Sequence, residues 1–216
     1  MNSAFIYKSP NLENLMMNCE KRLSCPFNDR HSISDIFVRY CIQKVTGYNL
    51  CDIKIQRSEN GKPYISDFSK LHFNLSHSKD LMICVVSKKQ VGVDVEFVKE
   101  YEISEKLVPF FSNLEWEYIQ SSGNKSQAFY ELWTLKESYL KYLGIGLTKG
   151  LKFFEIVFKN KNYSITETGK LVPIFLQSFE FDSLYRVSIC SHFNKAAILN
   201  QVSEEDLKNV IIQCHV

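Results

Sequence analysis

The chain has no apolar run approaching the roughly 20 residues needed to cross a bilayer, and no basic start with a long apolar stretch at its N-terminus, as a secretory signal would have. It carries no GxxxxGK[ST] and no GxGxxG, so the common phosphate-cradling loops are missing. Its seven cysteines are scattered, an odd number with no CxxC pair, which speaks against a zinc site or a disulfide framework. They read as reduced, mostly buried thiols of a cytoplasmic protein. Low-complexity segments and repeats of fixed period are absent. With only five Pro and eight Gly among 216 residues, and 45% hydrophobic and 23% charged residues, the composition is that of an ordinary globular protein. The net charge of +2 does not call for non-specific nucleic-acid binding.

What is there begins with Val91-Gly92-Val93-Asp94-Val95-Glu96-Phe97. Apolar and other residues alternate with a period of two, which predicts a strand with one apolar face. Asp94 and Glu96 then project together from the other face, where they repel each other unless a cation sits between them. Oxygen donors at this spacing suit a hard ion such as Mg²⁺. The alternative is a solvent-facing strand with two ordinary surface acids.

Around this strand the pattern predicts a short strand at 4–8, helices at 11–22 and 32–46, and a turn at Asn60-Gly61-Lys62-Pro63. A meander follows: alternating Leu71, Phe73 and Leu75, then the continuous apolar run Leu81 to Val86 of a central strand, then the acid strand. The second half starts over with helices at 102–111, 113–120 and 126–143, the last stopped by Gly144-Ile145-Gly146. Strands are predicted near 153–158, 162–167, 173–181, 184–191 and 195–200. The whole reads as an α+β protein of two similar lobes, each with helices packed on an antiparallel sheet. The lobes are placed at 1–100, containing the acid strand, and 101–216, containing the 126–143 helix.

On that helix Phe129, Leu132, Tyr139, Leu140 and Leu143 fall on one arc, with Lys136 in its middle. Glu137 and Lys141 lie just past the edge, four residues apart and adjacent. A lysine centred on an apolar stripe needs a partner or an escape to water. Either Lys136 snorkels and Glu137–Lys141 is a surface pair, or Lys136, Glu137 and Lys141 form a partly desolvated cluster facing a charged ligand. Three carboxylates with bases is an arrangement suited to phosphate chemistry, the acids holding Mg²⁺ and Lys or His neutralising the remaining charge. Ser76 and His77 are strand neighbours pointing to opposite faces, so His77 cannot readily deprotonate Ser76 in a triad.

Four blocks in order resemble the signature of the 4′-phosphopantetheinyl transferases of the surfactin-synthetase-activating type. They are Gly61-Lys62-Pro63, Phe73-Asn74-Leu75-Ser76-His77-Ser78, Gly92-Val93-Asp94-Val95-Glu96, and the segment Phe129 to Lys141 that includes Trp133-Thr134-Leu135-Lys136-Glu137-Ser138. The resemblance implies a pseudo-twofold α+β monomer that binds coenzyme A in the cleft between lobes. It implies transfer of the phosphopantetheine arm from coenzyme A to a serine of an apo acyl or peptidyl carrier protein, with release of 3′,5′-ADP. By motif, Asp94, Glu96 and Glu137 resemble the ligands of Mg²⁺, with Mn²⁺ as an alternative ion. Lys62, Ser76 and His77 resemble coenzyme A contacts, Arg30 a basic position near the 3′-phosphate, and Lys141 the lysine that polarises the pyrophosphate. Glu137, Lys141 and His77 are the catalytic candidates, and Glu115 resembles a further site-facing acid. Carrier docking is expected along 104–125, which is rich in Leu107, Val108, Phe110, Phe111, Leu114, Trp116 and Tyr118, although part of this set belongs to a core. The rival readings are a Mg²⁺-dependent phosphohydrolase and a non-catalytic coenzyme A-binding regulatory protein.

Overall fold

In a computed structural model of the chain, residues 2–10, 33–58, 61–66, 70–100, 103–146, 150–159 and 162–213 are described. They form two units, one of residues 1–88 with 197–216, the other of residues 89–196.

The first unit is built on a four-stranded sheet. Its strands are β1 (Asn2–Lys8), β4 (His72–Ser78), β5 (Leu81–Ser87) and β11 (Ile198–Val202), in the order β11-β1-β5-β4. All seven residues of β5 are buried, as its unbroken apolar run requires of a central strand. Helix α1 (Ile33–Thr46) packs Ile36, Phe37, Tyr40 and Cys41 against Phe5, Tyr7, Met82, Cys84 and Val86. A last helix, α4 (Glu204–Gln213), adds Leu207 and Val210 to this core. Arg39 is buried within it and donates from Nη1 to the carbonyls of Leu50 (3.0 Å) and Ile53, pinning the turn Leu50–Asp52. A short hairpin joins β2 (Ile55–Arg57) to β3 (Pro63–Ile65).

The second unit is a five-stranded antiparallel sheet of order β6-β10-β9-β8-β7, with β6 at Val91–Phe97, β7 at Phe154–Lys159, β8 at Asn162–Glu167, β9 at Lys170–Phe181 and β10 at Tyr185–Ser191. Helix α3 (Lys125–Leu143) lies on it, burying Phe129, Leu132, Leu135, Tyr139 and Leu140 with Ile156, Ile165, Leu176 and Cys190. Its start is capped by Asn124, which accepts from the Gln127 amide at 2.9 Å, and its end by Gly144 at φ 75°, the left-handed conformation glycine adopts without a Cβ penalty. Helix α2 (Asn113–Ser121) packs beside α3 and opens with a capping box between Ser112 and Glu115.

The α+β class is as expected, with four corrections. The acid strand β6 does not close the first meander; it pairs with β10, so it belongs to the second unit and the division falls at 88/89, not at 100. The first sheet is mixed, because β11 runs parallel to β1, and with it residues 197–216 return to the first unit. The helix expected at 102–111 is a 3₁₀ segment at Glu105–Phe110, since Pro109 lacks the N–H that an α-helix would use there. Helix α4 was not expected from the apolar pattern, yet Ser203-Glu204-Glu205-Asp206 carries a start signal: Ser203 Oγ accepts from the Asp206 amide while the Asp206 carboxylate accepts from the Ser203 amide. The helix expected at 11–22 lies outside the described residues. Among those described, no helix is long and apolar enough to cross a membrane.

Candidate active site

On β6 the side chains of Val91, Val93 and Val95 are buried on one face, while Gly92, Asp94 and Glu96 share the face turned to α3. Gly92 sets the distance. A Cβ there would lie 2.1 Å from the Ser138 carbonyl oxygen and 2.3 Å from the Tyr142 nitrogen, backbone atoms that cannot swing aside. Only glycine therefore lets α3 press its main chain onto this strand. Nearby, the Gln90 side-chain amide donates to the Tyr142 carbonyl.

This approach brings the charged residues together. The Lys141 ammonium donates to Asp94 Oδ1 at 2.6 Å; the Asp94 side chain is 5% exposed and that of Lys141 30%. Glu137, one turn before Lys141, is partly buried, and its Oε1 is buried without a hydrogen-bond partner. Its pKa is pushed up to about 7, first by burial and then by the charges of Asp94 and Glu96, with Lys141 pulling the other way. Three carboxylates thus share this face with the Lys141 ammonium, and Arg186 on β10 stands opposite Glu96 in register. Among the described residues no group of three or more His, Cys, Asp and Glu side chains is placed to hold a metal ion. The donor chemistry fits a hard divalent cation nonetheless: all-oxygen, surplus negative charge, and one buried carboxylate oxygen still lacking a partner.

The other described candidates for coenzyme A contact belong to the first unit. Lys62 follows the turn at Gly61 (φ 76°), where its amide donates to Ser58 Oγ at 3.1 Å. On β4 Ser76 is buried and His77 exposed, so the two do point to opposite faces. Lys62, Ser76 and His77 belong to the first unit, and Asp94, Glu96, Glu137 and Lys141 to the second. Arg30 lies outside the described residues.

Lys136 belongs to neither an outward cluster nor a snorkelling surface. It is fully buried and donates to both oxygens of Glu115, at 2.7 and 2.8 Å, and to the Phe154 carbonyl at 3.2 Å. Glu115 also accepts from the amides of Ser112 and Ile156, both at 2.8 Å. Burial lowers the Lys136 pKa and the Glu115 charge opposes that shift. The pair joins α2, α3 and β7 inside the second unit, which corrects the reading of Glu115 as a site-facing acid. In the 104–125 segment, Phe111 is buried, Trp116 packs on Phe111 and Tyr118 stacks on Phe158 at 4.4 Å. Leu114, by contrast, is 68% exposed.

Sequence reasoning gave Gly92 no role beyond its motif; a glycine inside an otherwise β-branched strand was the signal that backbone approaches there. It also missed the hydroxyl pair Thr134 and Ser188, 2.7 Å apart and buried between α3 and β10, with Ser188 directly opposite Asp94 in register.

Fold and site together define an α+β protein with an acid-rich, lysine-bearing face between β6 and α3. Residues 90–198 match the family model of the 4′-phosphopantetheinyl transferase superfamily, and residues 28–89 match that of a 4′-phosphopantetheinyl transferase N-terminal region. A 4′-phosphopantetheinyl transferase of Bacillus subtilis is 32% identical over 186 residues, covering 81% of this chain and 82% of the relative. The 4′-phosphopantetheinyl transferase gsp of Aneurinibacillus migulanus is 31% identical over 188 residues, covering 85% and 78%. The crystal structure of a Thermotoga maritima holo-[acyl-carrier-protein] synthase aligns with 47% of this chain and 61% of its own, at TM-score 0.39 and 18% identity. The chain belongs to the 4′-phosphopantetheinyl transferase superfamily and is an enzyme of that class.

Proposed function

We propose that this enzyme transfers 4′-phosphopantetheine from coenzyme A to a serine of an apo carrier domain, giving holo-carrier protein and 3′,5′-ADP. The observation that carries the reading is the excess of carboxylate on the face of β6 under α3, with an ammonium 2.6 Å from Asp94 and a buried, unpartnered oxygen on Glu137. Asp94, Glu96 and Glu137 would hold Mg²⁺ or Mn²⁺, which when bound offsets the charge of the pyrophosphate. Lys62, Ser76, His77 and Arg30 are the proposed coenzyme A contacts. The acceptor serine attacks the phosphorus bearing the pantetheine arm, the bond to the bridging oxygen breaks, and 3′,5′-ADP leaves. Lys141 and His77 stabilise the charge that develops on the departing phosphate. Glu137 accepts the serine proton, directly or through a water. The nucleophile comes from the partner, so the enzyme needs no activated serine or cysteine of its own.

As acceptors we propose carrier domains of nonribosomal peptide or polyketide synthases, docked along 104–125, with Leu114 as an exposed apolar contact. A cytoplasmic monomer completes the reading. The rival phosphohydrolase and non-catalytic readings gain no support from the family match.

The test is intact mass spectrometry of an apo peptidyl-carrier domain incubated with the enzyme, coenzyme A and Mg²⁺, beside a chelator control. A gain of one phosphopantetheine arm, abolished by chelation and by Glu137→Gln, is expected. No gain on either a peptidyl or an acyl carrier overturns the reading, and normal turnover by Glu137→Gln removes Glu137 from the chemistry.

A further inference from the structure

The first unit holds a cavity of about 630 Å³ that the proposed reaction does not use. Its lining comes from the second half of α1, from β1 and from β11, with Leu71, Ser87 and Lys88 beside them. Two small residues line it, Ser3 on β1 and Ser87 at the end of β5. Its apolar lining is Phe5, Tyr40, Val45, Leu71 and Ile198, and Val45 and Ile198 remain 40% and 51% exposed. The volume falls within the range of about 300–1,000 Å³ usual for small-molecule sites.

Among the described residues Lys44 and Lys88 line the cavity and no aspartate or glutamate does. The Lys44 ammonium lies 5.2 Å from the centre of the Tyr40 ring, a cation held over an aromatic wall. Asp206 holds the Tyr40 hydroxyl and interacts with the Lys44 charge, but it is not among the lining side chains. An aromatic and aliphatic pocket with two ammonium groups and no carboxylate is complementary to a ligand with an apolar body and one anionic head. The cavity is also separate from the coenzyme A contacts proposed on β4. Leu71 stands beside one end of that strand and Ser76-His77 near the other, about 16 Å along at the usual rise per residue.

We infer that this cavity binds a small amphipathic anion, a medium-chain or aromatic carboxylate or phosphate monoester, independently of the transfer reaction. The probe is 8-anilinonaphthalene-1-sulfonate, titrated into the full chain and followed by fluorescence. Octanoate, octyl phosphate and neutral octanol serve as competitors. Saturable single-site binding is expected, with octanoate or octyl phosphate displacing the probe at least tenfold better than octanol. The two acids tell a carboxylate ligand from a phosphate one.

Lys44→Glu with Lys88→Glu should weaken the probe at least tenfold, and Val45→Trp should abolish it by filling the space. Lys44, Val45 and Lys88 are exposed, so the circular dichroism and the melting temperature of these variants should stay near those of the parent. Carrier modification by the lysine double variant should also be unchanged, which separates this inference from the proposed reaction. Absent saturation, or binding indifferent to charge reversal, overturns the inference. So does displacement by octanol as strong as by the acids, or loss of carrier modification in parallel with probe binding.

Discussion

Glu137 stands where burial and two neighbouring acids make its charge costly, and Lys141 only partly offsets them. In the unfolded chain it titrates near 4.5, in the folded protein near 7, so the folded state holds a proton over that interval that the unfolded state has released. Without a divalent cation, stability should therefore fall as pH rises through this window and stay low above it. Melting curves between about pH 5 and about pH 8 should show the parent losing stability relative to Glu137→Gln, with added Mg²⁺ narrowing the gap at the upper end. Parallel curves would show that Glu137 feels no such repulsion. Lys136 gives a contrasting case in the same helix. Its ammonium and Glu115 form a buried pair, so Lys136→Met leaves a carboxylate stranded and should cost about 3–5 kcal/mol in urea unfolding. A loss of turnover with stability intact would instead return Lys136 to the catalytic site. At this scale the sequence located the anomaly, a lysine on an apolar stripe, but not its solution. The partner is 21 residues away on another helix, and one-dimensional periodicity cannot say which acid faces inward.

At the scale of elements, α3 and β6 act together. The apolar stripe and the Gly144 stop made α3 legible to within a residue of its observed ends, because both signals are local. The partner of β6 was not legible. Alternation fixes that a segment is a strand and which residues share a face, yet the meander reading joined it to β5 when β10, some ninety residues on, offers the matching ladder. Gly92 governs the contact. Gly92→Ala should force α3 away from the strand, separating Lys141 from Asp94, and lower carrier modification at least tenfold, alongside an overpacking cost of about 1–3 kcal/mol. Unaltered modification would show that the close approach is dispensable. Removing the cap by Asn124→Ala should, in contrast, cost about 1 kcal/mol in chemical denaturation and leave turnover nearly intact.

At the scale of the whole molecule, the first unit is discontinuous in sequence, completed by β11 and α4 only after the chain has passed through the second. Ending the chain at residue 196 would strip β1 of its parallel neighbour and α1 of Leu207 and Val210. Amides of β1 should then exchange with solvent far faster, while those of β9 and β10 keep their protection. Equal protection of β1 in both chains would make the return segment an ornament of the fold.

The sequence by itself determined the α+β class, the acid strand and the long helix, because each rests on residue type and short-range period, while the set Asp94, Glu96, Glu137 and Lys141 came from the family resemblance. The tertiary structure alone decided that β6 leaves the first sheet for the second, that Glu115 and Lys136 neutralise each other in a core, and that Lys141 meets Asp94. These depend on contacts between residues distant along the chain, whose choice is made by packing and burial of charge, and no local pattern encodes the partner.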